Sequence, residues 1–163
     1  MVVLGIDPST TSTGFGLVET DGYTVKLIDF GIIKTSRQHA LPDRLHIIFN
    51  RISEIINIHH PDEFAIENMF YAEHTKSALK LGHARGVAIL SARLAELPIA
   101  EYAPREVKQA VVGYGNASKE QVQRSIIQQL GLKDVPIPHD ASDALAVAIC
   151  HCHRVGIRKV LNL

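Results

Sequence analysis

The amino-terminal part of the chain carries short apolar runs of strand length. Residues 2–7 (VVLGID) form an apolar run that ends on Asp7, a pattern typical of a buried strand. Residues 15–20 and 23–35 are rich in β-branched and aromatic side chains, and Asp21-Gly22 between them is a common hairpin turn. The pattern predicts three successive antiparallel strands.

Helical periodicity begins near Pro42. Apolar residues recur there at three- and four-residue intervals up to His60, which gives one stripe of an amphipathic helix, and Pro61 ends it. Further along, the pattern predicts strands at 63–67 and 99–103, and helices at about 75–97, 104–112, 118–130 and 140–154. The order βββ-α-β-α-β-α-α-α is typical of an α/β fold with a mixed five-stranded sheet and helices on both faces.

Length and composition favour one globular domain spanning residues 1–163. The chain is 46% hydrophobic and 21% charged, which is ordinary for a globular protein. No apolar run approaches the roughly 20 residues that cross a bilayer, and the first residues lack the basic segment of a signal peptide. Cys150 and Cys152 are too few for a disulfide framework, so a cytoplasmic protein is expected. Because these cysteines point to different sides of a helix, a core or interface role is favoured over zinc binding.

The two halves of the chain differ in charge although the formal net charge is zero. Residues 1–75 hold 5 Lys and Arg against 10 Asp and Glu, whereas residues 76–163 hold 12 against 7. An acidic half joined to a basic half can place a cation site beside an anion-binding surface. The charge difference between the halves can also arise by chance, so it supports a cation site only if individual acids lie where they can bind a cation.

Four carboxylates fall at the ends of predicted elements. Asp7 ends the first strand, Glu67 ends the fourth, and Asp140 and Asp143 lie three apart at the start of the last helix. If these ends meet, a hard divalent cation such as Mg²⁺ or Mn²⁺ relieves the mutual repulsion. Two ions about 3.5–4 Å apart can activate a water and stabilise a leaving oxygen at phosphorus, which is the chemistry of phosphodiester cleavage.

The same acids allow a plainer interpretation. An aspartate pair at a helix start often only caps the helix, and Asp7 could accept hydrogen bonds from the hydroxyls of residues 9–13. Glu67 is harder to explain in this way. It directly follows the apolar pair Ala65-Ile66, so its carboxylate loses solvation unless a cation or hydrogen-bond donors meet it.

Five segments distributed over nearly the whole chain have a characteristic order and spacing. They are GIDPSTTSTGFG (5–16), IENMF (66–70), SALKLGHARGVA (77–88), VKQAVVGYGNASKEQV (107–122) and DASDALAVAICHCH (140–153). Together they resemble the RuvC family of bacterial Holliday-junction resolvases. Two positions depart from that family. Ser9 stands where members usually carry glycine, which matters if the position needs a positive φ. Asp140 stands where some members carry histidine, and for the preceding His139 a loop role is favoured over proton transfer.

The resemblance implies a ribonuclease-H-like fold and a Mg²⁺-dependent homodimeric endonuclease. Such an enzyme symmetrically nicks two strands of like polarity at a four-way DNA junction, in recombination and repair, together with the RuvA and RuvB branch-migration proteins. Two Mg²⁺ ions per subunit are expected, with Mn²⁺ possible. Matched position by position, the metal-binding catalytic acids are Asp7, Glu67, Asp140 and Asp143. Phe70 matches an aromatic residue that stacks at the junction, and Lys108 and Lys119 match basic residues near the scissile strand.

Neighbouring residues suggest how DNA would be held. Phe70 and Tyr71 follow the strand that delivers Glu67, and we expect Phe70 to stack on unpaired bases and Tyr71 to fold back onto the core. A basic surface for phosphates is expected from Lys76, Lys80, Arg85, Lys108, Lys119 and Arg124. Gly82 and Gly86 on the long helix either admit a second copy in a two-fold dimer or pack closely within the monomer.

Two other functions fit parts of the sequence. ATPases of the actin and sugar-kinase group also begin with a strand, an aspartate and a small-residue hairpin, but they need two such domains and this length supplies one. The other is a non-catalytic junction-binding module in which the acids only cap and solvate. Loss of cleavage with retained binding in an Asp7→Asn variant separates the enzyme from that module.

Overall fold

Five strands and five helices make up the part of the chain that the computed structural model describes, residues 1–68, 75–132 and 135–161. In chain order they are β1 (Val2–Asp7), β2 (Ser12–Thr20), β3 (Val25–Lys34), α1 (Leu41–His59), β4 (Glu63–Glu67), α2 (Thr75–Leu94), β5 (Ile99–Tyr102), α3 (Pro104–Val112), α4 (Lys119–Gln129) and α5 (His139–Leu161). This is the order that the hydrophobic pattern predicts. None of the helices in these ranges has the length and apolar character that crossing a membrane requires.

The strands form one mixed sheet in the order β3-β2-β1-β4-β5. The first three strands pair antiparallel, whereas β4 runs parallel to β1, and β5 runs parallel to β4. The predicted mixed five-stranded sheet is therefore confirmed. In the β1–β4 register Ile6 lies beside Ile66, so Asp7 and Glu67, the next residue of each strand, reach the same edge of the sheet.

Helices cover both faces of the sheet, as predicted. On one face Leu4 is fully buried in a cluster with Ile48 of α1 and Ala84 of α2. On the other face its neighbour Val3 is fully buried in a cluster with Leu145 of α5, which also includes residues of α3 and α4. The two-residue period of a strand sends consecutive apolar side chains into opposite cores. Burial on both faces explains why β1 reads as a nearly continuous apolar run.

Helix α5 lies directly against β1 and β2 because the strands carry glycines at the contact. A Cβ atom at Gly5 would stand 2.3 Å from the backbone oxygen of Ala144, and one at Gly14 would stand 1.9 Å from that of Asp140. Any side chain at these positions would push the helix away from the sheet. The glycines therefore set how near the start of α5 comes to the end of β1.

Some boundaries differ from the predicted ones for identifiable reasons. β2 begins at Ser12 rather than at residue 15, because its first residues already pair with β1 and β3. α2 ends at Leu94 rather than at about residue 97, and Glu96, two residues after that end, adopts a φ of 59°, which is not helical. α5 continues to Leu161 rather than 154, and its Gly156 packs against the backbone of Gly22 in the β2–β3 hairpin. This contact joins the helix to a distant hairpin, and no local sequence pattern predicts it.

Candidate active site

Asp7 and Glu67 stand at the carboxyl ends of two adjacent parallel strands. Asp7 is the last residue of β1 and Glu67 is the last residue of β4, and both side chains are partly buried. Each strand is held by its apolar residues, Ile6 and Ile66, which are fully buried. The sheet thus fixes the backbones of two carboxylates side by side, as the sequence predicted.

Asp140 and Asp143 reach the same edge from the first turns of α5. The backbone of Asp140 packs closely against Gly14. Because Gly14 is the register partner of Asp7 on β2, this contact brings the start of α5 next to Asp7. The hydroxyl of Ser12, also on β2, donates a hydrogen bond to Oδ2 of Asp140. The first two hydroxyls of β2 are engaged elsewhere than at Asp7: Ser12 donates to Asp140, and Thr13 donates to the carbonyl oxygen of Ser9 at 2.6 Å.

The four carboxylates interact electrostatically. Burial raises the pKa of Asp7 to about 7, and the negative charges of Asp143, Glu67 and Asp140 add to that rise, in that order. Burial also raises the pKa of Glu67, with Asp143 as the next contribution, while Lys119 and Lys108 oppose it. A carboxyl whose charge is disfavoured by burial and by three neighbours is one that a bound cation would stabilise.

Lys119 supplies a positive charge inside this cluster. It is the first residue of α4, whose start is fixed by Ser118: the Ser118 hydroxyl accepts a hydrogen bond from the backbone of Gln121. The Lys119 ammonium donates to Oδ2 of Asp143 at 3.1 Å, and this bond raises the pKa of the lysine. The Ser118 cap, at the start of the helix predicted from residue 118, places Lys119 at the acids.

A cleft with a volume of about 260 Å³ opens beside the acids. Its polar lining consists of Glu67, Asp143, Lys108 and Lys119. Its apolar lining consists of Pro104, Val107, Val122 and Ala146, from the three helices α3, α4 and α5. The two lysine ammonium groups and the two carboxylates, next to an apolar lining, suit the binding of a phosphodiester and its attached sugar.

The donor set fits a hard divalent cation. All four candidate ligands are carboxylates, and oxygen ligands of this kind suit Mg²⁺ and Mn²⁺. In the described part of the chain, no three side chains of His, Cys, Asp or Glu stand close enough together to hold one ion as they are placed. Shared coordination therefore requires the side chains to converge, and Asp143 would have to leave Lys119.

Other predicted DNA-binding residues have mixed positions. Lys80 is exposed on α2, and Arg124 is exposed on α4. Arg85 lies inside the protein: its side chain is 18% exposed, forms an ion pair with Glu101 of β5 and donates to the backbone oxygen of Glu67 at 3.4 Å. Its predicted contact with DNA stays a prediction. Phe70 and Tyr71 lie outside the described residues, as does the side chain of Lys76.

The two positions that depart from the family pattern have simple local explanations. Ser9 does not have a positive φ, since among the described residues that are not glycine only His60 and Glu96 do. Its hydroxyl accepts from the backbone of Thr11 at 3.3 Å, which closes the turn after β1, so the expected strain is absent. His139 is exposed at the first residue of α5. Its part in proton transfer stays untested.

The CHCH segment belongs to the core, as predicted. Cys150 and Cys152 are buried, and burial raises the pKa of both thiols to about 12, which disfavours the thiolate that zinc would need. Between them, His151 bonds through its two ring nitrogens to the hydroxyl of Tyr102 and the carboxylate of Glu63, both at 2.7 Å. This histidine joins α5 to β4 and β5.

Sequence reasoning missed the residues that support the acids. Ser12 is 128 positions from Asp140, and Arg85 is 16 positions from Glu101. A serine in a Ser/Thr-rich turn and an arginine on a helix are both common, so neither local sequence indicates a role in supporting the acids. Only the pairing of β2 with β1 under α5 reveals the role of Ser12.

The chain is similar to known proteins over nearly its whole length. The family model for crossover junction endodeoxyribonuclease RuvC matches residues 3–151. The crossover junction endodeoxyribonuclease RuvC of Alkaliphilus metalliredigens is 50% identical over 153 residues, which are 94% of this chain and 93% of that protein. The structure of Thermus thermophilus RuvC in complex with Holliday junction substrate has a TM-score of 0.91 at 36% identity, covering 96% of each chain.

A more distant likeness concerns the fold alone. The yeast mitochondrial Holliday junction resolvase Ydc2 has a TM-score of 0.69 at 14% identity, over 98% of this chain and 81% of that one. With the RuvC match, it confirms the ribonuclease-H-like fold class.

Proposed function

The chain belongs to the RuvC family of crossover junction endodeoxyribonucleases, and we propose that its four clustered carboxylates are where it cuts DNA. It is an endonuclease that resolves four-way DNA junctions in homologous recombination and repair. In this proposal the 163 residues work as a single nuclease domain in the cytoplasm. RuvA and RuvB are its expected partners in branch migration.

The position of Asp7 carries the proposal. Its carboxyl lies at the end of the central strand, where burial, followed by the negative charges of Asp143, Glu67 and Asp140, raises its pKa to about 7. A protein gains nothing in stability from four carboxylates that repel one another at a sheet edge. Such an arrangement is expected where a cation binds.

The proposed cofactor is Mg²⁺, two ions per subunit, with Mn²⁺ possible. The residues that would hold the ions are Asp7, Glu67, Asp140 and Asp143. When bound, the metal would supply Lewis-acid activation of the attacking water and charge stabilisation at the departing 3′ oxygen. The chain itself contributes oxygen ligands from β1, β4 and α5, whose backbones the sheet holds at one edge.

Lys108 and Lys119 are proposed to hold the scissile phosphate. Both line the cleft beside Glu67 and Asp143, and the Lys119 side chain is 69% exposed, so it can reach a ligand from outside. A positive charge near the phosphate stabilises the charge that develops on its oxygens during the reaction. Further out, Lys76 and Lys80 would meet flanking phosphates, and Phe70 would stack on unpaired bases at the branch point.

A two-fold homodimer through α2 is also part of the proposal. The outward face of α2 exposes Leu79, Gly82, Gly86, Leu90 and Leu94 together with His83 and Arg93, and the three leucines are 50–66% accessible. A Cβ atom at either glycine would meet nothing within 4 Å, so close packing inside the monomer does not explain them. Exposed leucines that flank two glycines on one helix face suit close packing of a second helix against that face. A second copy would bring two active sites to the two strands of like polarity.

One incubation series tests the catalytic proposal. A synthetic four-way junction and a linear duplex of matching sequence are each mixed with the purified protein, with and without Mg²⁺. We expect symmetric nicks in the junction alone, with metal alone, and loss of nicking in Glu67→Gln. Glu19→Gln is the matched control, since Glu19 is exposed on β2 and pairs with Val2 at the far end of the sheet. Equal nicking by Glu67→Gln and the wild type would contradict the proposal.

A further inference from the structure

Two of the four acids are held in different ways. Asp143 is bound by the Lys119 ammonium, which neutralises its charge and would compete with a cation for the same oxygen. Asp140 is bound by the hydroxyl of Ser12, which carries no charge. A neutral donor orients a carboxylate and leaves its negative charge available to a cation.

We propose that Ser12 positions the carboxylate of Asp140 for cation binding. This inference rests on the proposed function of the acid cluster. Because Oδ2 of Asp140 receives the Ser12 hydroxyl, Oδ1 remains the oxygen free of that bond and would be the one available to an ion. Ser12 is a positioning residue in this account, since its hydroxyl donates to Asp140 and acts on the ion only through that carboxylate.

The strand that carries Ser12 also seats the backbone of Asp140. Ser12 and Gly14 are two residues apart on β2, so both face α5. Gly14 allows the carbonyl of Asp140 to approach the strand, and Ser12 fixes its carboxylate. Since Gly14 pairs with Asp7, one stretch of β2 sets the position of Asp140 relative to the central acid in both backbone and side chain.

Binding of Mn²⁺ alone to the purified full chain tests the inference without any nuclease readout. By calorimetry, we expect Ser12→Ala to weaken Mn²⁺ binding about 10-fold, in the range seen when a hydrogen-bond partner of a metal ligand is removed. Ser12→Thr keeps a hydroxyl on the same strand and should stay within about threefold of the wild type. Thr11→Ala is the matched control, because the Thr11 hydroxyl bonds to the Ser9 hydroxyl and not to one of the four acids.

Junction cleavage supplies a second readout that a merely structural role would not move. In Ser12→Ala the Mg²⁺ concentration for half-maximal cleavage should rise by about the same factor as the Mn²⁺ Kd, while the rate at saturating Mg²⁺ changes little. An unchanged Mn²⁺ Kd in Ser12→Ala, with a weakened one in Asp140→Asn, would overturn this inference and leave the proposed function standing. Wild-type protein that binds no Mn²⁺ would overturn both.

Discussion

The Lys119 ammonium lies 3.1 Å from Oδ2 of Asp143, so one proposed metal ligand is paired with a lysine of the same site. The same lysine lowers the pKa of Asp7, which makes it a partial counter-charge for the whole cluster. When cations and a phosphodiester bind, the lysine has a better partner in the phosphate and Asp143 has one in the metal. Metal binding and DNA binding are therefore expected to favour each other.

Replacing this lysine should separate metal affinity from catalysis. In Lys119→Met the competing charge is gone, so we expect Mn²⁺ to bind about 3–10-fold more tightly without DNA, a modest gain because the lysine is largely exposed. Junction cleavage at saturating Mg²⁺ should instead fall about 10–100-fold, since the charge near the phosphate is lost. Calorimetry and single-turnover cleavage measure the two effects. Lys26→Met on β3 is the control, and parallel loss of both properties would contradict the account.

The raised pKa of Asp7 predicts a pH-dependent stability of the metal-free protein. The folded state keeps a proton on Asp7 up to about pH 7, whereas the unfolded chain releases it near the ordinary value of 3.8. Stability is therefore lost as pH rises from about 4 to 7, and Asp7→Asn escapes this loss. By urea unfolding in EDTA, the advantage of Asp7→Asn should grow by on the order of 2–3 kcal/mol between pH 5 and pH 8. An advantage that is equal at the two pH values would contradict the prediction.

The Arg85–Glu101 pair is expected to hold the end of β4 rather than DNA. Arg85→Ala and Glu101→Gln should each lower the free energy of unfolding by about 1 kcal/mol, and the double variant should lose less than the sum. Neither variant should change the slope of log Kd against log salt for the junction. A slope reduced by about 1 in Arg85→Ala alone would instead restore Arg85 to the phosphate contacts.

The dimer proposal predicts that a larger side chain at Gly86 stabilises the monomer and weakens the dimer. Gly86→Leu has room in the monomer and removes a mid-helix glycine, so the monomer should become more stable by up to about 1 kcal/mol. The same leucine would block close approach of a second α2, and dimer affinity should fall at least about 10-fold. Sedimentation measures the dimer and thermal unfolding measures the monomer. Gln128→Leu on the exposed face of α4 is the control, and an unchanged dimer would place the interface elsewhere.

Much of the fold could be predicted because local rules and burial agree. Apolar runs defined β1 and β4 to the residue, and proline and serine marked the starts of α3 and α4. The acids were predicted to converge because Asp7 and Glu67 end apolar strands, while Asp140 and Asp143 lie at the start of the last helix. What could not be predicted depends on tertiary packing: the extension of α5 needs Gly22, and the orientation of Asp140 needs Ser12.

Arg85 shows why residue type alone does not reveal the partner of a side chain within the protein. On sequence it is one basic residue among several on α2, next to Lys80 in the predicted basic surface. Its partner Glu101 faces it only because β5 lies beside β4 in the sheet. In the structure Lys80 is exposed, whereas Arg85 is paired with Glu101. The pattern of charges along the sequence does not distinguish these two residues.

Single-turnover cleavage of a four-way junction by Asp7→Asn, with junction affinity measured on the same preparation, tests the central claim most directly. If the acids bind the catalytic cations, cleavage falls by about 1,000-fold or more, since several kcal/mol of transition-state stabilisation are lost. Junction affinity stays equal or increases, because a negative charge has been removed beside the DNA. Cleavage within a few-fold of the wild type would contradict the account.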